Sequence, residues 1–312
     1  MASNILIIKL GALGDMVQAL GPMAAIRRAH AGDRITLLTT RPYAEFIAAT
    51  GHVDDIWIDD RPSMLAVSAW WQLRRRLRAA GFKRVYDLQT SDRSAWYYRL
   101  FGPGPKPEWS GIAAGCSHPH ANPGRDAMHT IERQREQLAV AGITEVPAPD
   151  LGWATAELGE RDPGGNFALI APGGAAHRPA KRWPAAQFAE LAVRLAAMGY
   201  RPVLVGGPED AGLTAGIAAQ VPDALDFGGR TSLLDLAALG RRAALAVGND
   251  TGPMHVFAVA RAPSVVLYSK ESDPALCAQR GPAVEILRRP VLAELTVDEV
   301  IAAAEAFRRP GS

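Results

Sequence analysis

Short apolar, β-rich runs alternate with longer segments of helical period along almost the whole chain. In the first half we predict strands at 5–8, 35–39, 56–58 and 85–88, and helices at 17–30, 42–50, 64–80 and 128–142. Residues 102–126, "GPGPKPEWSGIAAGCSHPHANPGRD", are rich in Gly and Pro and are predicted to form a loop. This alternation is typical of a parallel sheet covered by helices.

The alternation restarts after a predicted linker at 143–165, which contains "VPAPD" and "RDPGG". In the second half we predict strands at 167–171, 202–205, 224–227, 243–247 and 264–268, and helices at 185–198, 210–220, 232–240, 254–260 and 297–308. A length of 312 residues suits two domains. We therefore expect two doubly wound α/β domains, 1–149 and 150–312, with ligands beyond the carboxyl ends of their strands.

Composition excludes few classes of protein but narrows the cellular setting. Hydrophobic residues make up 48% and charged residues 21%, as in ordinary globular proteins. The N-terminus lacks the basic start and cleavage site of a secretory signal, and Cys116 and Cys277 form no metal or redox motif. We expect a cytoplasmic protein.

The first half carries 18 basic and 14 acidic residues, which weakly favours an anionic partner. The sequence shows no dense basic and aromatic face of the kind that suggests nucleic-acid binding.

The segment "KLGALGDMVQ" (9–18) follows the first predicted strand and contains a glycine turn with Asp15 at the start of a helix. It matches neither the dinucleotide fingerprint G-x-G-x-x-G nor the P-loop. From the residues alone, Asp15 is either a helix N-cap or a functional carboxylate.

Three motifs in the second half have the features of a phosphate site. "GNDTGPMH" (248–255) places Thr251 and Gly252 at a predicted helix N-terminus, which favours an anion. "LIAPGGAAHRPAKRWPAAQF" (169–188) is a strand followed by a cationic loop, and "VLVGGPEDAG" (203–212) is a strand followed by a glycine pair. The alternatives are a capped turn, a solvated basic loop with Trp183-Pro184 as a hydrophobic staple, and an ordinary turn.

Taken in this order, the motifs resemble glycosyltransferase family 9, the ADP-heptose-dependent heptosyltransferases of lipopolysaccharide core synthesis. "ILIIKLGALGDMVQALG", "DLQTSDRSAW" (87–96) and "HTIERQREQL" (129–138) are similar to segments of that family as well. The resemblance covers nearly the whole chain. It is weakest at 57–80 and 102–126, where contacts with the acceptor would be expected.

The resemblance implies a GT-B architecture, in which two Rossmann-like domains face each other across a cleft and a terminal helix, 297–308, returns to the first domain. It implies inverting, metal-independent transfer of a heptose or related sugar from an ADP-sugar to a lipopolysaccharide core hydroxyl, with Asp15 as general base and no cofactor. The implied donor-binding residues are Lys181, Asp250, Thr251, Gly252, Pro253, His255, Gly173 and Gly206. The implied acceptor-binding residues are Gly14, Arg93 and Arg61.

Several alternatives remain open at this stage. The same fold could serve a nucleotide-sugar epimerase or hydrolase, a transferase with another donor and acceptor, or a binding protein, although the presence of Asp15 and Lys181 argues against the last. "LRRRLR" (73–78), next to two tryptophans, is either the solvent face of a helix or a contact with anionic lipid at the inner face of the cytoplasmic membrane. "HTIER" (129–133) is interpreted as a domain-stabilising cluster.

Overall fold

The computed structural model describes residues 2–63, 65–175 and 177–307. The chain divides into two compact units, Met1–Pro149 and Asp150–Ser312. Each unit contains one six-stranded sheet whose neighbouring strands are all parallel. Within the described ranges, no helix has the length and apolar character that crossing a membrane requires.

The first unit follows the predicted alternation. Its strands are β1 (Asn4–Ile8), β2 (Arg34–Thr39), β3 (Asp55–Ile58), β4 (Phe82–Asp87), β5 (Glu108–Gly111) and β6 (His118–Pro119). Its helices are α1 (Leu13–Gln18), α2 (Leu20–Ala29), α3 (Ala44–Ala48), α4 (Val67–Ala79), α5 (Asp92–Leu100) and α6 (Thr130–Val140). The predicted start of α4 at residue 64 lies outside the described residues.

The prediction of a loop at 102–126 is wrong, because β5 and β6 form there. β5 pairs with β4, and its Trp109 is fully buried in the first core against Tyr98 and Phe101. The strand has only four residues and is surrounded by Gly and Pro, so tertiary packing rather than local propensity determines it.

The second unit has the strands β7 (Phe167–Ala171), β8 (Arg201–Leu204), β9 (Leu225–Asp226), β10 (Leu245–Asn249), β11 (Ser264–Tyr268) and β12 (Val284–Arg288). Its helices are α7 (Ala185–Ala197), α8 (Ala211–Ala218), α9 (Leu233–Arg242), α10 (Gly252–Val259), α11 (Pro274–Cys277) and α12 (Val297–Glu305). Sequence reasoning missed β12, a half-buried strand at the sheet edge.

Both sheets have the same strand order. The first is β3-β2-β1-β4-β5-β6 and the second is β12-β11-β10-β7-β8-β9, so each follows the Rossmann pattern 3-2-1-4-5-6 within its unit. In such a sheet the connections leave the two central strands in opposite directions, which opens a crevice at their carboxyl ends. The crevices therefore lie at the ends of β1 and β4 in one unit, and of β7 and β10 in the other.

The terminal helix belongs to the core of the second unit. Val297, Val300, Ile301 and Ala304 are buried in the cluster that contains α7 and β11 residues. The return of this helix to the first half, which the family resemblance implies, stays a prediction. The predicted end of the helix at Arg308 lies outside the described residues.

One carboxylate is fully buried where the central strands of the first sheet end. Asp87 Oδ1 accepts hydrogen bonds from the backbone N–H groups of Gln89 (3.1 Å) and Thr90 (3.0 Å). The backbone carbonyl of Asp87 accepts a hydrogen bond from the side-chain amide of Gln137 (2.9 Å). Burial raises the pKa of Asp87 to about 6. The two backbone hydrogen bonds to its carboxylate, a hydrogen bond from Ser94 and the charge of Lys9 all oppose this rise. Asp87 thus fixes the turn after β4 while remaining costly to ionise.

Two glycines at the second position of a helix offer a matched test of packing. A Cβ on Gly21 would lie 2.2 Å from the carbonyl oxygen of Pro147, whereas a Cβ on Gly212 meets nothing within 4 Å. We expect Gly21→Ala to destabilise the protein by about 1–3 kcal/mol through overpacking. We expect Gly212→Ala to stabilise it by about 0.5–1 kcal/mol through lower backbone entropy in the unfolded chain. Urea unfolding of both variants checks this, and equal effects would contradict the close contact at Gly21.

The raised pKa of Asp87 predicts a pH dependence of stability. As pH rises from about 4 to 6, the unfolded state loses the Asp87 proton while the folded state keeps it, so ionisation favours unfolding. At pH values above the folded pKa, ionisation of Asp87 should lower the free energy of unfolding by about 3 kcal/mol, because its pKa is raised by roughly two. Asp87→Asn removes that component, so its stability relative to the parent should increase by this amount between about pH 4 and pH 7. Urea unfolding at each pH measures it, with the exposed Asp92→Asn as charge control; a difference that does not change with pH would contradict the shift.

Candidate active site

The crevice of the first sheet contains a buried lysine that sequence reasoning missed. Lys9 follows β1, is 3% exposed, and donates from Nζ to the carbonyl of Leu88 at 3.2 Å. Burial lowers the pKa of Lys9, while the nearby charges of Asp15 and Asp87 act in the opposite direction. A lysine directly after four apolar residues was the available signal, because a strand that enters the core rarely ends in a charge without a reason.

Asp15 lies at the third position of α1 and is half-buried. The N-cap of this helix is Ala12, so the alternative that Asp15 is a simple N-cap is wrong. Lys9 and Arg133 both interact electrostatically with Asp15. Gly14, predicted to contact the acceptor, is buried immediately before it. The structure therefore places a carboxylate among cations at the crevice.

A glycine is required in the turn that precedes Asp15. Gly11 has φ +115°, a left-handed conformation, and a Cβ there would lie 2.6 Å from the ring of Tyr43. Burial raises the pKa of Tyr43, while the charge of Arg61 opposes the rise. The Tyr43 ring thus covers the turn and restricts how close other groups can approach.

The two arginines predicted to bind the acceptor are brought to one loop. Arg61 donates to the carbonyl of Leu10 at 2.7 Å, which places its guanidinium at the end of β1. Arg93 donates to the carbonyl of Pro62 at 3.0 Å and lies over the Trp70 ring at 5.5 Å. Arg61 is therefore a neighbour of the glycine turn, and Arg93 holds the loop that carries Arg61.

The predicted stabilising cluster at the start of α6 divides into two parts. His129 is the N-cap, accepts from the Ile131 N–H at 3.2 Å, and lies 3.1 Å from Glu132. Arg133 is half-buried and interacts electrostatically with Asp15 and Lys9. The first part caps the helix as expected, whereas Arg133 contributes positive charge to the crevice.

The crevice of the second sheet contains a partly buried ion pair. Lys181 Nζ lies 2.7 Å from Asp250 Oδ2, and Gln279 Nε2 donates to Asp250 Oδ1 at 3.1 Å. Gln279 is held in turn by the Tyr268 hydroxyl at 2.9 Å. Burial tends to raise the pKa of Asp250, but the hydrogen bond and charge of Lys181 outweigh it, so the net shift is downward. Asp250 is therefore fixed in place as an ionised carboxylate.

Asn249 connects the loops around this crevice and was not predicted. Its amide donates to the carbonyls of Pro172 (2.8 Å) and Gly173 (3.1 Å), and its oxygen accepts from the Trp183 N–H (3.0 Å). Trp183 also packs its ring against Phe188 at 4.9 Å, which confirms the hydrophobic staple. An amide side chain donates through its nitrogen and accepts through its oxygen, so Asn249 fixes the ends of β7 and β10 together.

Gly173 and Gly206, predicted to contact the donor, both face the Asp210 side chain. A Cβ would lie 2.2 Å from Asp210 Oδ2 at the first position and 2.7 Å from Asp210 Cβ at the second. Burial and the charge of Glu209 raise the pKa of Asp210, with a backbone bond from Gly207 opposing them. Packing around Asp210 is thus sufficient to explain both glycines.

Helix α10 presents its N-terminus at this crevice. Its N-cap, Thr251, bonds from its hydroxyl to the Asn249 carbonyl (3.2 Å) and makes no side-chain bond to the N–H groups of the helix. Gly252 and Pro253 lie in the first turn, and His255, the fourth residue of the helix, is 7% exposed. Uncapped N–H groups and the helix dipole attract an anion here, and Lys181 adds a cation nearby.

The charged groups at the two crevices were searched for a metal-binding arrangement among the described residues. In the described ranges no cluster of three or more His, Cys, Asp or Glu side chains is arranged to hold a metal ion. The available positive charge comes from Lys181, Arg182 and helix α10 in one unit, and from Lys9, Arg61 and Arg133 in the other.

The sequence and the fold were compared with known proteins. The sequence model of glycosyltransferase family 9 (heptosyltransferase) matches residues 70–290. Lipopolysaccharide heptosyltransferase 1 of Pseudomonas aeruginosa is 28% identical over 290 residues, which cover 85% of this chain and 78% of that protein.

Solved structures of this family share the fold. A family 9 glycosyltransferase from Veillonella parvula matches with a TM-score of 0.83 at 22% identity, covering 98% of this chain and 97% of the other. Escherichia coli heptosyltransferase WaaC with ADP-2-deoxy-2-fluoro heptose matches with a TM-score of 0.77 at 22% identity, covering 98% and 100%. These matches confirm the expected GT-B fold class, and the family match covers more than half of the sequence. The chain is a glycosyltransferase that belongs to family 9, the heptosyltransferase family.

Proposed function

We propose that this protein transfers a heptose from ADP-heptose to a hydroxyl group of the lipopolysaccharide inner core, on the cytoplasmic side of the membrane that carries the acceptor. The observation that carries the proposal is Asp15, a half-buried carboxylate at the crevice of the first sheet. Family membership supports the reaction class. The names of the Pseudomonas relative and of the WaaC complex support the acceptor class and the donor.

The second unit binds the donor in this proposal. The diphosphate lies against the first turn of α10, at Thr251, Gly252 and Pro253, with Lys181 as counter-ion. As the sugar departs, negative charge grows on the ADP oxygen, and these fixed groups stabilise it without reorganisation. That arrangement is why we propose a metal-independent reaction. Asp250 and His255 are assigned to the sugar hydroxyls and the diphosphate as the resemblance implies.

The first unit binds the acceptor and supplies the base. The acceptor hydroxyl attacks the anomeric carbon of the heptose while Asp15 accepts its proton, and the bond from that carbon to the ADP oxygen breaks. The attack is a single displacement, so the configuration at the anomeric carbon inverts. Lys9 and Arg133 both interact electrostatically with Asp15 and so place positive charge beside the proposed base. Arg61, with Arg93 supporting its loop, meets anionic groups of the acceptor.

Replacing Asp15 tests the base. We expect Asp15→Asn to lower kcat by about 10²–10⁴-fold, the range of general-base catalysis, with little change in ADP affinity. Asp92→Asn, an exposed carboxylate of the same unit, is the matched control and should keep full activity. Rates with ADP-heptose and deacylated core oligosaccharide, and ADP titration by calorimetry, give both values. An Asp15→Asn variant with normal kcat would exclude Asp15 as the base.

Replacing Lys181 tests the donor site. We expect Lys181→Ala to weaken ADP binding by about 10–100-fold, since a hydrogen bond to a charged group contributes about 1.5–3 kcal/mol. Because this variant also leaves Asp250 unpaired, Lys181→Ala/Asp250→Asn is the decisive comparison. If Lys181 contacts the diphosphate, binding stays weak in the double variant. If Lys181 only neutralises Asp250, binding recovers. Arg201→Gln removes a cation at the amino end of β8, away from the crevice, and is the control for loss of positive charge.

Two further measurements separate the rival functions. A thermal-shift series with ADP, UDP, GDP and their sugars should show the strongest stabilisation with the ADP compounds, and stabilisation by UDP alone would reject the proposed donor. Incubation with the donor alone should give slow turnover. Rapid turnover without acceptor would instead identify a hydrolase or epimerase that uses the same diphosphate site.

A further inference from the structure

The first unit exposes apolar side chains that the proposed site does not use. We name as the α4–α5 face the exposed residues Leu65, Val67, Trp71 and Trp96, with the arginines Arg75, Arg78 and Arg99. The exposed fractions of the four apolar side chains are 90%, 74%, 59% and 37% in that order. Single exposed apolar residues are ordinary, but two tryptophans and two aliphatic side chains on one loop and two neighbouring helices are not.

Helix α4 divides its side chains between the core and this face. Trp70 and Leu73 pack against the first core, and Leu77 is buried in it. Val67, Trp71, Arg75 and Arg78 follow each other at helical spacing on the exposed side. The apolar residues of the outer stripe lie toward the start of the helix, and the cations lie toward its end.

Each exposed tryptophan is accompanied by an arginine from the next turn. The Arg75 guanidinium lies 5.7 Å from the ring centre of Trp71, and that of Arg99 lies 4.9 Å from Trp96. Arg74, in contrast, donates to the Leu100 carbonyl, and Arg76, which is also exposed, lies over the Trp57 ring. The face therefore repeats one unit, a flat aromatic ring beside a cation, on two helices.

Positive charge dominates the face. Helix α4 carries four arginines and no acidic residue, although the whole chain has a net charge of only +2. Helix α5 adds Arg99 and one exposed acid, Asp92, at its first position. Tryptophan and arginine are also enriched at protein interfaces, and the test below separates that occupant from a lipid surface. Tryptophan with arginine is the composition that favours the boundary between anionic headgroups and acyl chains.

We propose that the α4–α5 face docks onto an anionic lipid bilayer, with Trp71, Trp96, Leu65 and Val67 inserted at the headgroup boundary and Arg75, Arg78 and Arg99 against lipid phosphates. This proposal depends on the proposed function in one respect, which is that the acceptor is linked to a lipid. It adds the surface by which this chain reaches that lipid. Neither the tryptophans nor the arginines of the face belong to the catalytic or binding groups described above.

Vesicle binding of the full chain tests the proposal. Sedimentation with vesicles of phosphatidylethanolamine and phosphatidylglycerol should capture the protein, and vesicles of phosphatidylcholine alone should capture much less. We expect Trp71→Ser/Trp96→Ser and Arg75→Gln/Arg78→Gln each to reduce binding to the anionic vesicles by about tenfold or more. Val140→Ser and Arg135→Gln, which remove an exposed apolar group and an exposed cation on α6 of the same unit, should bind as the parent does.

Activity distinguishes failure of this proposal from failure of the proposed function. The face variants should keep the parent melting temperature and normal transfer to a deacylated, soluble acceptor, but lose transfer to an acceptor embedded in vesicles. Inactivity of the parent on every acceptor would reject the proposed function and leave the binding result to decide this proposal. Equal vesicle binding by parent and face variants would overturn the membrane contact. So would a dimer that Trp71→Ser/Trp96→Ser dissociates, because the face would then belong to a second copy.

Discussion

The strand order 3-2-1-4-5-6, present in both sheets, is the constraint on which the sites depend. In each unit the chain leaves the two central strands in opposite directions, and the polar residues after those strands lie at one edge. That edge brings Lys9 to the Leu88 carbonyl in the first unit and Asn249 to the Pro172 carbonyl in the second. The residues are more than 70 positions apart in both cases, so only the topology can place them in contact.

The alternation of apolar runs and helical patterns was sufficient to predict most of the fold. Long buried strands such as β7 and β11 were placed at their observed bounds, since an apolar run of that length has few other uses. The missed strands β5, β6 and β12 are short or only half-buried and lie toward sheet edges. Their pairing partners, rather than their own residues, determine them, and a single sequence does not contain that information.

The candidate site was predictable where a motif is local and unpredictable where contacts are distant. Asp250 and Thr251 directly follow β10, and Asp15 lies in the first turn of the helix after β1, so their places near the strand ends could be predicted from the chain. Gln279 could not, because it reaches Asp250 from 29 residues away. For Gly173 and Gly206 the pattern predicted a contact with the donor, and that stays a prediction. A Cβ at either position would meet the Asp210 side chain, so packing also explains both glycines.

The charged side chains at the two crevices are costly for the stability of the fold. Lys9 and Asp87 have pKa values shifted by burial toward their neutral forms, so each is costly to keep ionised in the first crevice. The Lys181–Asp250 pair is partly buried, and breaking it leaves an uncompensated charge. Apolar replacements at these positions would pack with less penalty, since most buried side chains of both cores are apolar. Burial at this cost is expected where charges serve a function, and these charges lie at the carboxyl ends of the central strands in both units. Their position at the two strand-order reversals is therefore a functional signature that stands independently of the family resemblance.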